Sequence, residues 1–192
     1  MTRFRAGAFT IFEVLISLAL LAIIAAVVVP ALMGRIRDAR TSALAQTLFS
    51  TSLALVEYKK AVSSYPQQLL YLASAPSATT KDACGNAIGA ANALNWRGPY
   101  VTRDLVTTGL TIGDARIGDT LSFTAGSPSR LFINVQGVDS LSAVDLEAQF
   151  DGSPGNPAAG TIWYFKAAIP PGVPAASAGQ VNVQYSIPVT GC

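Results

Sequence analysis

The longest hydrophobic stretch of this chain lies near its N-terminus. Residues 9–33 are apolar at every position except Thr10, Glu13 and Ser17. As a helix rising about 1.5 Å per residue, this stretch would extend about 37 Å, enough to cross a hydrocarbon core of about 30 Å. The apolar region of a secretory signal peptide is shorter, roughly 7–15 residues. We therefore predict that residues 9–33 form a membrane-spanning helix.

The next segment has the pattern of a helix with one apolar face. Residues 35–64 lack proline and are rich in alanine and leucine, which favours helix. Apolar side chains recur at helical spacing, and polar ones occupy the opposite face. The apolar set is Leu44, Leu48, Leu55, Tyr58 and Val62, and the polar set is Gln46, Ser50, Glu57 and Lys60. We predict that residues 34–65 continue the helix and pack on a globular head, ending before Pro66.

The last third of the chain alternates apolar and polar residues, as strands do. Four such runs, at residues 120–123, 130–135, 161–166 and 180–187, are separated by Gly, Pro and Ser clusters. Residues 140–150 are predicted to form a short helix capped by Ser140. Residues 66–118 are rich in Pro, Gly and small polar residues and are predicted to be a long connection. The expected fold class is α+β, with a four-stranded antiparallel sheet packed on one long helix.

Composition excludes several classes of function. The chain has no histidine, the commonest general base and metal ligand. It shows no paired-carboxylate pattern, phosphate-binding glycine loop or nucleophile elbow, so we expect neither an enzyme nor a cofactor. Asp145, Asp151 and Asn156 match no calcium-loop spacing, and no metal site is expected. The net charge of +2 is accounted for by Arg3 and Arg5, so no nucleic-acid partner is expected either.

Glu13 is the feature that an ordinary membrane anchor does not explain. An anchor accounts for the length of the apolar run and for its basic flanks, where Arg35, Arg37 and Arg40 would reach lipid phosphates. A carboxylate inside a membrane helix is unfavourable by about 2.5–3.5 kcal/mol near the bilayer centre, and it usually has a partner. We therefore expect Glu13 to be paired with a positive charge from outside this helix.

Residues Phe9-Thr10-Ile11-Phe12-Glu13 resemble the N-terminal motif of type IV prepilins and of the pseudopilins of type II secretion systems. The resemblance implies that residues 1–8 are a leader peptide and that a prepilin peptidase cuts between Ala8 and Phe9. The same enzyme would then methylate the new amino group of Phe9. The family usually has glycine before the cut, whereas this chain has Ala8 there and Gly7 one residue earlier. A cut after Gly7 therefore remains an alternative.

The resemblance also implies a mode of assembly and a pilin-like division of the chain. The carboxylate of Glu13 would face the terminal ammonium of Phe9 in an adjoining copy, and Pro30 would be a helix break. Residues 9–33 would be the transmembrane and assembly half of the helix, and residues 34–65 the half that packs on the head. Residues 66–118 would connect the helix to the sheet, and residues 119–192 would hold the sheet and a C-terminal disulfide.

The implied function is a structural subunit of a type IV pilus. A minor pilin and a pseudopilin are alternatives, and a membrane-tethered extracytoplasmic binding module is a more distant one. Implied partners are copies of this chain, the prepilin peptidase and methyltransferase, an inner-membrane assembly platform and membrane lipid. The chain would span the inner membrane once before assembly and then lie in a cell-surface pilus or a periplasmic pseudopilus. Adhesion, motility, DNA uptake and secretion all stay open as roles of the machine.

The resemblance also bears on the two cysteines and on a turn at residues 96–100. Cys84 and Cys192 are the only cysteines, and in a head outside the cytosol they are expected to form a disulfide, as pilins commonly do near the C-terminus. The turn Trp96-Arg97-Gly98-Pro99-Tyr100 resembles one found in many pilins and pseudopilins. We expect it to bury its two aromatic rings on the helix or the sheet.

Overall fold

A computed structural model describes residues 10–101, 109–152, 160–169 and 173–190. The chain divides into two compact units, residues 1–39 and residues 40–192. One helix, α1 (Ile11–Val62), has residues in both units. It ends where Ser63 takes a positive φ of 67° while its N–H still donates to the Lys59 carbonyl at 2.8 Å. The expected long N-terminal helix is therefore present.

In the second unit, α1 buries the face that the sequence predicted. Leu44, Leu48, Leu55, Tyr58 and Val62 are all buried in the core of this unit. Two threonines on the same face form hydrogen bonds with the backbone one turn earlier. The hydroxyl of Thr47 donates to the carbonyl of Ala43, and the hydroxyl of Thr51 donates to the carbonyl of Thr47. A buried hydroxyl that bonds the preceding helical turn leaves no unpaired donor in the core.

The segment after α1 is more ordered than the sequence suggested. It contains a 3₁₀ turn (Leu69–Leu72), a short helix α2 (Ala90–Leu94) and two strands, β1 (Leu110–Ile112) and β2 (Ala115–Ile117). Backbone bonds tie the 3₁₀ turn to the chain beyond β2, with Leu69 N–H donating to the Asp119 carbonyl at 2.7 Å. Two strands therefore fall inside the region 66–118 that was expected to be only a connection.

Within the described residues the sheet has six antiparallel strands, so the prediction of four strands is wrong. The remaining strands are β3 (Ser122–Thr124), β4 (Ser129–Asp139), β5 (Ile162–Phe165) and β6 (Gln180–Val189). The order is β1-β2-β4-β6-β5, and β3 also pairs with β4. Because β6 pairs along one edge of β4, β2 and β3 share its other edge. β1 and β2 have three residues each, too few to show a period of two, whereas β3 was predicted because the alternating run at residues 120–123 begins before it.

One face of the sheet forms the core and the other faces away from it. Leu131, Ile133 and Val135 on β4 join the core cluster with the buried face of α1, and Phe132 and Asn134 alternate with them on the opposite face. Helix α3 (Ser140–Asp151) contributes Ala143 and Leu146 to the same core.

Helix α3 is capped by a different residue from the one predicted. The Asp139 carboxylate accepts hydrogen bonds from the N–H groups of Leu141 and Ser142, at 3.1 and 3.2 Å. Ser140, the predicted cap, is the first residue of the helix, and its hydroxyl donates to the Gly179 carbonyl. Asp139 also ends β4, so one residue closes a strand and starts a helix.

Candidate functional site

The first unit presents an apolar helical surface on which no described residue packs. Residues 10–33 are all exposed, and the most apolar window of α1 has a mean hydropathy of 2.9 with none of it buried. By length and composition, α1 could cross a membrane. An apolar surface of this extent is far larger than soluble monomers tolerate, so it needs lipid or protein to cover it.

Glu13 lies in the first turn of α1, at the edge of this apolar surface. Its backbone N–H donates to the carbonyl and to Oγ1 of Thr10, at 3.1 and 3.3 Å. This bond caps the start of the helix, where the dipole favours a negative charge. The carboxylate itself has no ion pair or hydrogen bond within the part of the chain that the structure describes.

Ser17 differs from Glu13 because the helix satisfies its polar group. Its hydroxyl donates to the carbonyl of Glu13 at 2.8 Å. A serine bonded in this way adds little to the cost of placing the helix in an apolar environment. Glu13 is the only charged residue in the sequence between positions 10 and 33, so the prediction of an external partner applies to it alone.

Pro30 lies inside α1, and the helix continues on both sides of it. A helix that continues through Pro30 does not decide whether the proline permits a kink or local melting, so the helix break stays a prediction. Proline removes one N–H donor from the helix, which weakens the helix at this position without necessarily ending it. Its effect on helix flexibility stays a prediction.

The leader cleavage site, Ala8 and Phe9, lies outside the described residues. The cut between them, the alternative cut after Gly7 and the methylation of Phe9 all stay predictions.

The head-packed part of α1 carries a second apolar surface that the sequence reasoning missed. Phe49, Leu53 and Val56 are exposed by 55%, 52% and 39%. Their spacing of four and three residues places them on one side of the helix, away from the buried face. That spacing is visible in the sequence and could have revealed the stripe, but the polar residues interspersed with it led to a prediction of a polar face.

Cys84 is disulfide-bonded, and no described cysteine is free. Asp82 shapes the turn around it, since its Oδ1 accepts the N–H groups of Cys84 and Asn86 at 3.0 and 2.9 Å. At the end of the sheet, the Nζ of Lys59 donates to the Thr190 carbonyl at 3.0 Å. The expected partner, Cys192, lies outside the described residues, so the pairing stays a prediction.

The Trp96–Tyr100 turn packs on α1 as predicted. The rings of Trp96 and Tyr100 meet edge to face with centroids 5.9 Å apart, and Tyr100 contacts Tyr58 of α1 at the same distance. The indole Nε1 of Trp96 donates to the carbonyl of Tyr71 at 3.0 Å. Both rings are partly buried against the core, which gives this turn a packing role.

The acidic residues near α3 do not converge on a metal position. Asp151 is occupied by backbone donors, accepting the N–H groups of Thr161 and Ile162 at 2.8 to 3.0 Å. Asn156 lies outside the described residues. Within the described ranges, no group of three or more potential ligands could hold a metal ion.

Comparison with known proteins adds no relative to these observations. No protein-family model matches the chain, and no curated protein or solved structure matches it significantly.

Proposed function

We propose that this chain is a structural subunit of a filament of the type IV pilin kind. The observation that carries the proposal is the exposed apolar half of α1, with one carboxylate in its first turn that pairs with none of the described residues. Lipid would cover this surface before assembly, and the equivalent helices of other copies would cover it in the filament. Lipid provides no partner for the carboxylate, whereas a second copy does.

In this proposal, cleavage between Ala8 and Phe9 creates the partner for Glu13. The new ammonium of Phe9 is a positive charge in an apolar environment, and it faces Glu13 of an adjoining, staggered subunit. Either charge buried alone would be unfavourable by several kcal/mol. The pair therefore acts as a register device, since every other alignment of two helices leaves both charges unpaired.

The α+β head supports the same proposal. The second part of α1 packs its apolar face on an antiparallel sheet, which is the arrangement that the resemblance to pilins implies. The subunit would lie in the inner membrane until an assembly platform adds it to a cell-surface pilus. A minor pilin or a pseudopilin would use the same helix and the same pair of charges.

Glu13→Ala tests the pairing directly. We expect the variant to reach the membrane in normal amounts, because the substitution removes a charge from an apolar helix. Filament yield should fall more than about tenfold, since each misaligned or unpaired Phe9 ammonium is unfavourable by several kcal/mol. Electron microscopy of sheared surface filaments, with peptide identification, measures the yield. Ser17→Ala, one helical turn further on, is the matched control and should assemble normally. Normal fibres from the Glu13→Ala variant would refute the pairing.

The mass of the mature protein provides a second, independent readout. A chain that starts at methylated Phe9 supports a filament subunit. A chain that keeps residues 1–8 and stays monomeric in the membrane would overturn the proposal in favour of a membrane-tethered binding module.

A further inference from the structure

The face of the sheet opposite the core contains an open groove of about 540 Å³. Four strands contribute to it, and its walls include Phe123, Arg130, Phe132, Trp163, Ile169 and Gln184. This volume falls in the range of about 300–1,000 Å³ that small-molecule sites occupy. None of the residues that line the groove belongs to α1, so the groove is separate from the proposed assembly surface.

One wall of the groove is aromatic and held in place. The ring of Trp163 lies 5.2 Å from that of Phe132, and its Nε1 donates to the carbonyl of Gly160 at 3.0 Å. Phe132 is buried, whereas Trp163 is partly exposed. A fixed, partly exposed indole in the wall of a groove is a platform on which a flat or ring-shaped apolar surface can pack.

Among the described residues that line the groove, Arg130 is the only charged one. Its Nη1 donates to Ser186 Oγ at 2.7 Å and to the Gly160 carbonyl at 3.3 Å, and its guanidinium lies over the Trp163 ring, 5.8 Å from the centroid. Within the described residues, no carboxylate pairs with it, and Nε and Nη2 bond no other group. A held arginine without a protein counter-ion is suited to a carboxylate of a ligand.

The floor of the groove adds an oriented amide. Asn134 Nδ2 donates to the Thr120 carbonyl and to Ser122 Oγ, at 3.2 and 2.9 Å. Asn134 Oδ1 accepts a hydrogen bond from Gln184 Nε2 at 2.9 Å. The nitrogen end of the Gln184 amide therefore faces Asn134, and its oxygen, Oε1, points away from Asn134. In the described part of the chain, Gln184 Oε1 accepts no hydrogen bond. Gln184 therefore offers an acceptor to a ligand hydroxyl.

We propose that this groove binds an acidic saccharide, a pyranose ring that carries a carboxylate. The carboxylate would bind Arg130, the C–H face of the ring would pack on Trp163, and a hydroxyl would donate to Gln184 Oε1. A single-stranded nucleic acid fits less well, since one cation cannot neutralise a chain of phosphates. The proposal is independent of filament assembly.

Fluorescence of Trp163 can test the proposal on the full chain. The chain has two tryptophans, so Trp96→Phe leaves Trp163 as the only indole. In phosphocholine micelles, which contain no sugar, glucuronic acid at neutral pH should change this fluorescence saturably. Glucose and the methyl ester of glucuronic acid, which lack the charge, should bind at least about tenfold more weakly. This comparison requires no further variant.

Arg130→Gln should weaken glucuronate binding at least about tenfold, while Arg97→Gln, which removes an exposed arginine elsewhere, should leave it unchanged. Thermal unfolding of each variant shows whether the head is intact. Equal binding of glucose and glucuronate would overturn the proposal, as would an equal loss in the Arg97→Gln variant. Absence of any response to glucuronate would overturn it too, including when an acetylated dipeptide with a free carboxylate does bind.

Discussion

Asp119 is a buried carboxylate with only one of its oxygens hydrogen-bonded. Its Oδ1 accepts the Leu70 N–H at 2.8 Å, whereas Oδ2 is buried without a partner in the described residues. Burial raises the pKa of Asp119 above its ordinary value, and the Leu70 N–H only partly offsets this. Since the folded pKa lies above the unfolded one, the native state is favoured when the carboxyl is protonated. That advantage is lost as the pH rises through the folded pKa.

Asp119→Asn is therefore expected to stabilise the head at neutral pH. Asparagine keeps the acceptor for Leu70 and removes the buried charge, for a gain of about 1 kcal/mol near pH 7 that shrinks towards about pH 4. Thermal unfolding of the full chain in micelles at both pH values measures the difference. Asp114→Asn is the control, because its ion pair with Arg40 is exposed and contributes little at either pH. A lower melting temperature for Asp119→Asn at neutral pH would contradict this account.

Of the candidate site, the sequence revealed most directly those residues whose chemistry is unusual for their surroundings. Glu13 stands out because one charge in an apolar run needs a physical reason. The groove was inaccessible, because Arg130, Trp163 and Gln184 lie on three strands and only their pairing brings them together. The Asp139 cap was missed because Ser140, an equally good capping residue, follows it directly.

At the scale of elements, the part of α1 in the second unit has two apolar surfaces, one buried and one exposed. Its core face in the second unit is buried, whereas Phe49, Leu53 and Val56 are exposed. We assign this stripe to contacts with the equivalent helix of another copy, on the basis of the proposed function. It is an apolar surface on the same helix that carries the proposed assembly half.

Leu53→Glu tests this assignment. An exposed substitution should change the stability of the isolated chain by less than about 0.5 kcal/mol, but filament yield should fall severalfold because the charge would enter an apolar contact. Ser50→Glu introduces the same charge at a nearby exposed position outside the stripe and should assemble normally. Filament counts by electron microscopy, with thermal unfolding of the chain in micelles, separate the two effects. Equal yields from the two variants would remove the stripe from the assembly surface.

The elements themselves were predictable in proportion to their length. Helix α1 and strands β4 and β6 are long enough for their periods to be read directly from the sequence. β1 and β2 have three residues each. β2 is held by pairing with an edge of β4, and β1 is held by pairing with β2. Such strands depend on a distant partner rather than on their own sequence, so no local pattern predicts them.

At the scale of the whole molecule, the disulfide at Cys84 is the main covalent constraint on the head. If its partner is Cys192, the bridge links positions separated by 108 residues (192 minus 84). In the chain-entropy model, a loop of that length is worth about 4–5 kcal/mol. The bridge would hold the C-terminal residue close to the Asp82 turn, near the end of α1.

Cys84→Ser should therefore lower the free energy of unfolding of the full chain by about 4–5 kcal/mol, measured by denaturant titration in micelles. Cys192→Ser is the matched variant and should give the same loss, and combining the two should add little, because both remove one bond. Non-reducing mass spectrometry of the exported protein identifies the bridge itself. Two free thiols, or an unchanged unfolding midpoint for Cys84→Ser, would rule out the disulfide between Cys84 and Cys192.

The position of β6 has a consequence for how the protein is made. This strand is the last of the six along the chain, yet it pairs with β4 on one side and with β5 on the other. A ribosome delivers β6 after the other described strands, so the sheet of the emerging polypeptide stays divided until β6 has been made. A chain released before β6 would keep its apolar helix but lack the strand that joins β5 to the rest of the sheet. The edges of β4 and β5 that pair with β6 would then be unpaired, which would distinguish such fragments from the folded head for cellular proteases.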